Sequence, residues 1–227
     1  MFNIFFLLIV SNLLAEEVHH PQPKDPIFIK AEFYQQILKD FPEPPKPKSE
    51  AQSSDEKELF RQQKSRSSED CERAKKEVFV TLENFFGGRG GELSTDEIQK
   101  LTPFFNQVRN DGDYFIQKLK RDFPRQRPFV YIKGLEPCVP REDSGAFPSG
   151  HATLAKLYAL ILSKIFPKRS SELDKKAQVI ANDRVLSGMH HPTDIKAGKD
   201  LAIKIFAELQ RSESFKKALD EAKAALR

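Results

Sequence analysis

The tightest constraint on the fold is an apolar stretch, Ala152 to Phe166, that begins directly after Pro148-Ser149-Gly150-His151. Lys156 and Lys164 interrupt it, and a membrane helix needs about 20 predominantly apolar residues. No later segment comes nearer to that requirement, so the mature chain is expected to be soluble. No stretch shows the period of 2 that marks a half-buried strand, and no internal repeat stands out. The expected fold is therefore all-α, a helical bundle with its site at converging helix ends.

Helix signals recur along the chain. Residues 27–38 read as a short amphipathic helix, and the run Pro42 to Pro47 as an extended strap over the domain, because each proline restricts its predecessor. Ser53-Ser54-Asp55 can cap a helix to about Lys64. A second opens at Ser67, with Ala74, Val78, Val80, Leu82 and Phe85 as its buried stripe, and the glycine run 87–91 ends it. Around Arg89 that run lacks a P-loop ending and reads as a surface turn. Ser94 and Glu97 form a capping box for a helix through Val108, with Pro103 able to kink it. A separate helix, 113–121, delivers Lys120 near its end. Pro124 and Pro128 then stiffen the chain around Arg127, and residues 130–147 read as loop with one strand-like pair, Tyr131-Ile132. Helices follow at about 152–166, 171–186, 192–210 and 213–226.

At 227 residues the chain suits one domain with an appendage. Residues 1–15 carry no charge and hold the apolar run Ile4 to Val10, which reads as a signal peptide cleaved after Ala15. Residues 16–52 are then an N-terminal helix and strap, and 53–227 the all-α functional domain. A net charge of +4, with acids and bases interspersed, offers no nucleic-acid-binding arm and no polybasic membrane patch. Stable membrane insertion after leader removal is not expected, and self-association stays open. Cys71 and Cys138 would enter an oxidising compartment behind such a leader, where a disulfide or two free thiols are both compatible with the spacing. His19 and His20 read as solvated tail residues.

The chemistry lies in three runs. Six residues separate Lys120 from Arg127-Pro128; Pro148-Ser149-Gly150-His151 opens a helix; Arg184 is followed after five residues by His190, and after three more by Asp194. A helix start binds phosphate-like anions through unpaired N–H groups and its dipole. Lys120, Arg127 and Arg184 add three positive charges, while Ser149 and Gly150 supply neutral donors, a set suited to phosphoryl transfer. A neutral imidazole at His190 can attack phosphorus, with Asp194 fixing its tautomer in the manner of a triad's third member. The nearby acids Glu136, Glu142, Asp143, Asp183 and Asp194 form no recognisable metal cluster, so neither metal nor other cofactor is expected.

These runs resemble the three-part signature of the type 2 phosphatidic acid phosphatase and vanadium haloperoxidase superfamily. Within it, the settings of Arg127-Pro128-Phe129, Cys138, Phe147 to Thr153 and Gly188-Met189-His190 resemble bacterial class A non-specific acid phosphatases. The resemblance covers about residues 42–209. It implies catalysis by His190, His151 and Asp194, phosphate held by Lys120, Arg127, Ser149, Gly150 and Arg184, and His151 as general acid and then base. Spacing alone does not separate the roles of His151 and His190. It implies an exported, metal-independent acid phosphatase, periplasmic or secreted, acting on small organic phosphomonoesters through a phosphohistidine. One departure is Asp183, where the family usually has Ser; it either weakens the anion site or points away and holds Arg184. Two rival readings follow: a vanadate-dependent haloperoxidase, and a non-catalytic phosphate-binding protein whose site has decayed at Asp183.

Overall fold

The computed structural model describes residues 24–86 and 93–226, so the leader 1–15, His19-His20 and the glycine run 87–91 lie outside the described residues. Among those described there are ten α-helices and no β-strand, in line with the all-α expectation.

Helix α1 (Phe33–Leu38) is only the second half of the helix expected over 27–38. The first half is diverted by buried Asp111, whose carboxylate accepts the N–H groups of Ile27, Phe28 and Ile29 at 2.5, 2.9 and 3.0 Å. Backbone donors satisfied by a side chain no longer need helical carbonyls. Burial pushes the Asp111 carboxyl up, and the three backbone donors offset part of that rise. Helix α2 (Glu50–Ser65) starts earlier than expected because Ser49, not Ser53, caps it by accepting the Gln52 N–H.

Helix α3 (Ser68–Lys76) opens on a Ser67/Asp70 capping box but ends well before Phe85, and α4 (Glu83–Phe86) resumes only after a break. The β-branched residues Val78, Val80 and Thr81 are weak helix formers, and the break turns carbonyls inward. His151 Nε2 lies 2.8 Å from the Val78 carbonyl, and Arg109 donates to that of Val80 at 2.8 Å. Helix α5 (Thr95–Asp122) has the Ser94/Glu97 box and runs unbroken for 28 residues, merging the two helices read from the sequence. Pro103 removes a single ladder bond, outweighed by the buried face of Ile98, Leu101, Phe104, Phe105 and Val108. Gly112 is no breaker either: a Cβ there would meet Leu154 Cδ2 at 3.0 Å, so it is the point of close approach to the next long helix. The strand-like pair is instead entered by a single turn, α6 (Pro128–Tyr131), with proline at its first position.

Helices α7 (Gly150–Ile165), α8 (Ser170–Leu186), α9 (Pro192–Leu209) and α10 (Glu213–Ala224) fall close to their expected bounds. The apolar helix α7 is central, packed on α8 and α9 and crossed by α5, while α10 lies on α5. Phenylalanines fill the space between: Phe28 meets Phe215 with ring centroids 5.6 Å apart, and Phe41 contacts both Phe123 and Phe147 at 5.9 Å. The Phe41 contact ties down the start of the proline strap, whose residues 44–48 wall a groove with Arg125 and Tyr131. Among the described residues no helix is long and apolar enough to cross a membrane.

Cys71 and Cys138 form a disulfide, with Cα atoms 5.7 Å apart, that closes a separation of 67 residues. It joins α3 to the loop leading into α7, beside a small core of Ala74, Val139 and Met189. A loop this long loses considerable chain entropy when cross-linked. The double variant Cys71→Ser/Cys138→Ser is therefore expected to lose about 2–4 kcal/mol of stability. Urea unfolding of oxidised and variant protein measures the difference, and equal midpoints would contradict it.

Candidate active site

The start of α7, the end of α5, the turn at α6 and the α8–α9 connection meet at one point, as the sequence reading required. Gly188 makes the last of these possible. Its φ of +80°, a conformation that costs glycine little, turns the chain back after α8. The N–H groups of Met189 and His190 then both reach the Arg184 carbonyl, at 2.9 and 3.1 Å. Arg184 and His190, which the spacing paired, are thereby joined through the backbone, both with buried side chains.

His190 is buried, its Nε2 2.7 Å from Arg127 Nη1 and its Nδ1 3.4 Å from Asp194 Oδ2. A guanidinium can only donate, so Nε2 carries the lone pair and the ring proton sits on Nδ1, facing the carboxylate. Burial first, then the Arg127 charge, pushes the His190 pKa down to about 3. Asp194 has more partners than the spacing suggested. Its Oδ2 accepts the His191 backbone N–H at 2.8 Å and faces His191 Nδ1 at 2.9 Å, and Oδ1 accepts from Arg125 at 2.5 Å. Burial alone would raise this carboxyl, but bonds from His190 and His191 hold it well below the usual carboxylate range.

His191 is fully buried, sandwiched between Asp194 and the Tyr131 hydroxyl at 2.9 Å. Tyr131 in turn bonds Gln52, and Arg125 donates to Gln52 Oε1 at 2.5 Å and to Asp55 Oδ2 at 2.9 Å. Asp55 also accepts the Thr193 N–H at 3.2 Å. Helix α2 thus clamps the first turn of α9 through a closed ring of polar contacts, and the ring fixes Asp194.

His151 projects from the first turn of α7. With Nε2 donating to the Val78 carbonyl at 2.8 Å, its Nδ1 is the nitrogen that looks into the site, 4.0 Å from Glu142 Oε1. Burial, then the Arg184 charge, pushes its pKa well below the ordinary value. Ser149 caps α7 by accepting the Ala152 N–H at 3.3 Å, and its own N–H is committed to the Asp194 carbonyl at 3.1 Å. The amides at the helix start that remain for an anion are those of Gly150 and His151, one residue later than the sequence suggested.

The three cations converge. Arg127 and Arg184 are buried and grip opposite oxygens of one carboxylate: Arg127 Nη2 to Glu142 Oε2 at 2.6 Å, Arg184 Nη2 to Glu142 Oε1 at 2.7 Å. Lys120 Nζ donates to Ser144 Oγ at 3.0 Å and to the Gly145 carbonyl at 2.6 Å. Burial, then Arg127, pushes the Lys120 pKa down to about 7. Asp183 turns away from all of them. Both its oxygens take the Arg73 guanidinium, at 2.7 and 2.8 Å, so it holds Arg73 rather than Arg184. Beside it, burial and then the Asp183 charge push the Glu77 carboxyl up to about 7. Among the described residues no group of three or more His, Cys, Asp or Glu side chains could hold a metal ion.

Residues 112–212, which carry all three motifs, match the PAP2 superfamily. The matched residues make up just under half of the chain. A non-specific acid phosphatase of Salmonella typhimurium is 28% identical over 98% of this chain and 91% of its own length. One of Providencia stuartii is 30% identical across 61% of this chain and 56% of its own. The crystal structure of a bacterial vanadium-dependent iodoperoxidase aligns over 84% of this chain at a TM-score of 0.58 and 12% identity. This chain spans 59% of that one, and the likeness is one of fold. The PAP2 match takes in all three motifs in their order; the ring from Gln52 and Asp55 to Asp194 lies partly outside the matched residues.

Proposed function

We propose that this protein is an exported acid phosphatase that hydrolyses a broad range of small organic phosphomonoesters through a phosphohistidine, without a metal. The observation that carries the reading is the state of His190: neutral, with its lone pair on Nε2 beside buried Arg127 and its N–H toward Asp194. Nε2 attacks phosphorus, the P–O ester bond breaks, and the departing alkoxide takes the Nδ1 proton of His151 in its imidazolium form, which the bound phosphoryl dianion favours by offsetting the Arg184 charge. The Nε2–H stays on the Val78 carbonyl, and the ring is left neutral with its lone pair on Nδ1. His151 next removes a proton from water, which cleaves the N–P bond and releases phosphate. Arg127, Arg184 and the Gly150 and His151 amides neutralise the phosphoryl oxygens, the electrostatic role a metal fills elsewhere.

The names of the Salmonella and Providencia relatives support the activity, and the Cys71–Cys138 disulfide supports export to the periplasm or beyond. Asp183 has an assigned partner in Arg73, which removes the reason to regard the site as decayed. Hydrolysis of p-nitrophenyl phosphate is expected across acid to neutral pH, undiminished by EDTA and blocked by vanadate. Activity lost to EDTA and restored by a divalent ion would overturn the metal-free mechanism. Halide oxidation in vanadate without phosphatase turnover would favour the haloperoxidase instead.

A further inference from the structure

The groups assigned to phosphate are not idle: all three cations are engaged by one short segment of the chain itself, Glu142 to Gly145. Arg127 donates to the Ser144 carbonyl at 2.9 Å and its hydroxyl at 3.1 Å as well as to Glu142. Lys120 holds Ser144 and Gly145, and Arg184 holds Glu142. The Glu142 carboxylate therefore lies between the two arginines, with His151 Nδ1 4.0 Å away. A planar anion stands there in for a phosphoryl group.

Two further observations show that it is an imperfect stand-in. Arg184 Nε and Nη1 are buried and meet no acceptor among the described residues. A carboxylate has two oxygens, and both are already bonded to an arginine; a tetrahedral oxyanion brings further oxygens for those orphaned donors. The space beside the carboxylate is also too small for an ester. The cavity bounded by Lys120, Gly150, His151 and Glu142 measures about 30 Å³, roughly one water's share of liquid volume. On the other side of Glu142 lies an open groove of about 610 Å³ walled by Arg127, Phe129 and Arg141. Glu142, Ser144 and Lys120 line both spaces.

We infer that Glu142 is a built-in competitor for the anion seat: it must swing out for substrate to enter, and it selects tetrahedral dianions over weaker anions. The inference rests on reading this site as a phosphoryl seat. An incoming phosphate replaces the Glu142 contacts and also satisfies Arg184, whereas a monocarboxylate only exchanges like for like. Displacement joins the small cavity to the groove, leaving the ester group toward Phe129 and Arg141. The charged or titratable groups facing Glu142 are Arg127 from the α6 turn, Arg184 from α8 and His151 from α7, with Lys120, Arg109 and Asp113 of α5 bounding the cavity beside it.

The test is calorimetric titration with inorganic phosphate, and with acetate, of wild-type protein, Glu142→Gln and Glu142→Asp at a fixed neutral pH. Glu142→Gln is expected to bind phosphate at least about tenfold more tightly and to gain measurable acetate binding. Glu142→Asp, too short to span both arginines, should shift the same way by less. Without its counter-charge Glu142→Gln should also melt below wild type and recover when phosphate is added. Phosphate affinity equal to or weaker than wild type in either folded variant overturns the inference. None of these readouts needs turnover. Tighter phosphate binding in a protein that never hydrolyses an ester would defeat the phosphatase reading and leave the competitor standing; hydrolysis with unchanged affinity would do the reverse.

Discussion

His190→Ala is expected to reduce kcat by at least about 1,000-fold, the scale of losing a nucleophile that acts as a unit with its partners. Phosphate affinity should stay within a few-fold of wild type, because the proposed reading has the anion held by Arg127, Arg184 and the α7 amides rather than by the imidazole. The site also survives the truncation structurally. Asp194 keeps the His191 side chain, the His191 backbone N–H and Arg125 as partners after His190 is gone. Rapid-quench experiments with labelled substrate provide the direct readout: a base-stable, acid-labile phosphoenzyme in wild type and none in the variant. A variant retaining a tenth of wild-type kcat would show that another group attacks. The pH profile carries a second consequence. Because His190 is held down to about 3, its neutral fraction in the free enzyme falls only as pH drops through that value. The acid limb of kcat/KM should accordingly lie far below the ordinary histidine value of about 6.5.

The residues to which this chemistry is assigned are legible as a group because the chain states them by spacing. Arg184, His190 and Asp194 sit at intervals that a helix end, one glycine turn and a helix start convert directly into proximity. His151 and the Ser149 cap are legible for the same local reason. What stayed hidden depends on contacts across long sequence separations. Nothing near Glu142 says that its carboxylate reaches Arg184 in the middle of the fold; in the sequence it is one acid of an acidic pair in a loop. Nothing near Gln52 or Asp55 says that they brace Asp194, well over a hundred residues later. Arg125 was readable only as half of an Arg-x-Arg repeat ending at Arg127. His191 lies outside the spacing that marks His190, yet its Nδ1 is nearer to Asp194 than that of His190, 2.9 against 3.4 Å. The helix boundaries failed for related reasons. Residues 27–32 and 77–82 have helical-looking apolar patterns, but Asp111 takes the backbone donors of the first, and His151 and Arg109 take carbonyls of the second. In both cases a tertiary partner outcompeted the local helix.

Gly198 gives the sharpest test of how tightly fold and site are joined. It lies on α9, one turn beyond Asp194, where that helix passes beneath the start of α7. A Cβ at this position would stand 2.5 Å from the Ser149 carbonyl oxygen and 3.1 Å from both Ala152 Cβ and Thr153 Oγ1. The first of these contacts is with backbone, so no rotamer change relieves it; one helix must move. Gly198→Ala gains about 1 kcal/mol in helix propensity, whereas overpacking a tight crossing costs typically 1–3 kcal/mol and sometimes more. The net expectation from these two terms is a loss of about 0–2 kcal/mol, toward the upper end because the contact is with backbone. Activity should suffer further, because the carbonyl being pushed belongs to the N-cap of α7. That residue's N–H is tied to the Asp194 carbonyl at 3.1 Å, so a shift there moves His151, the Gly150 amide and Asp194 relative to one another. A displacement of 1 Å in such a constellation costs about 100-fold in rate, and kcat should fall on that scale while phosphate still binds through the arginines. Thermal unfolding and steady-state kinetics on the same preparation separate the two effects. A variant with a raised melting temperature and full kcat would mean that the α7–α9 crossing has slack, and that the helix start is positioned by the polar ring around Asp194 alone.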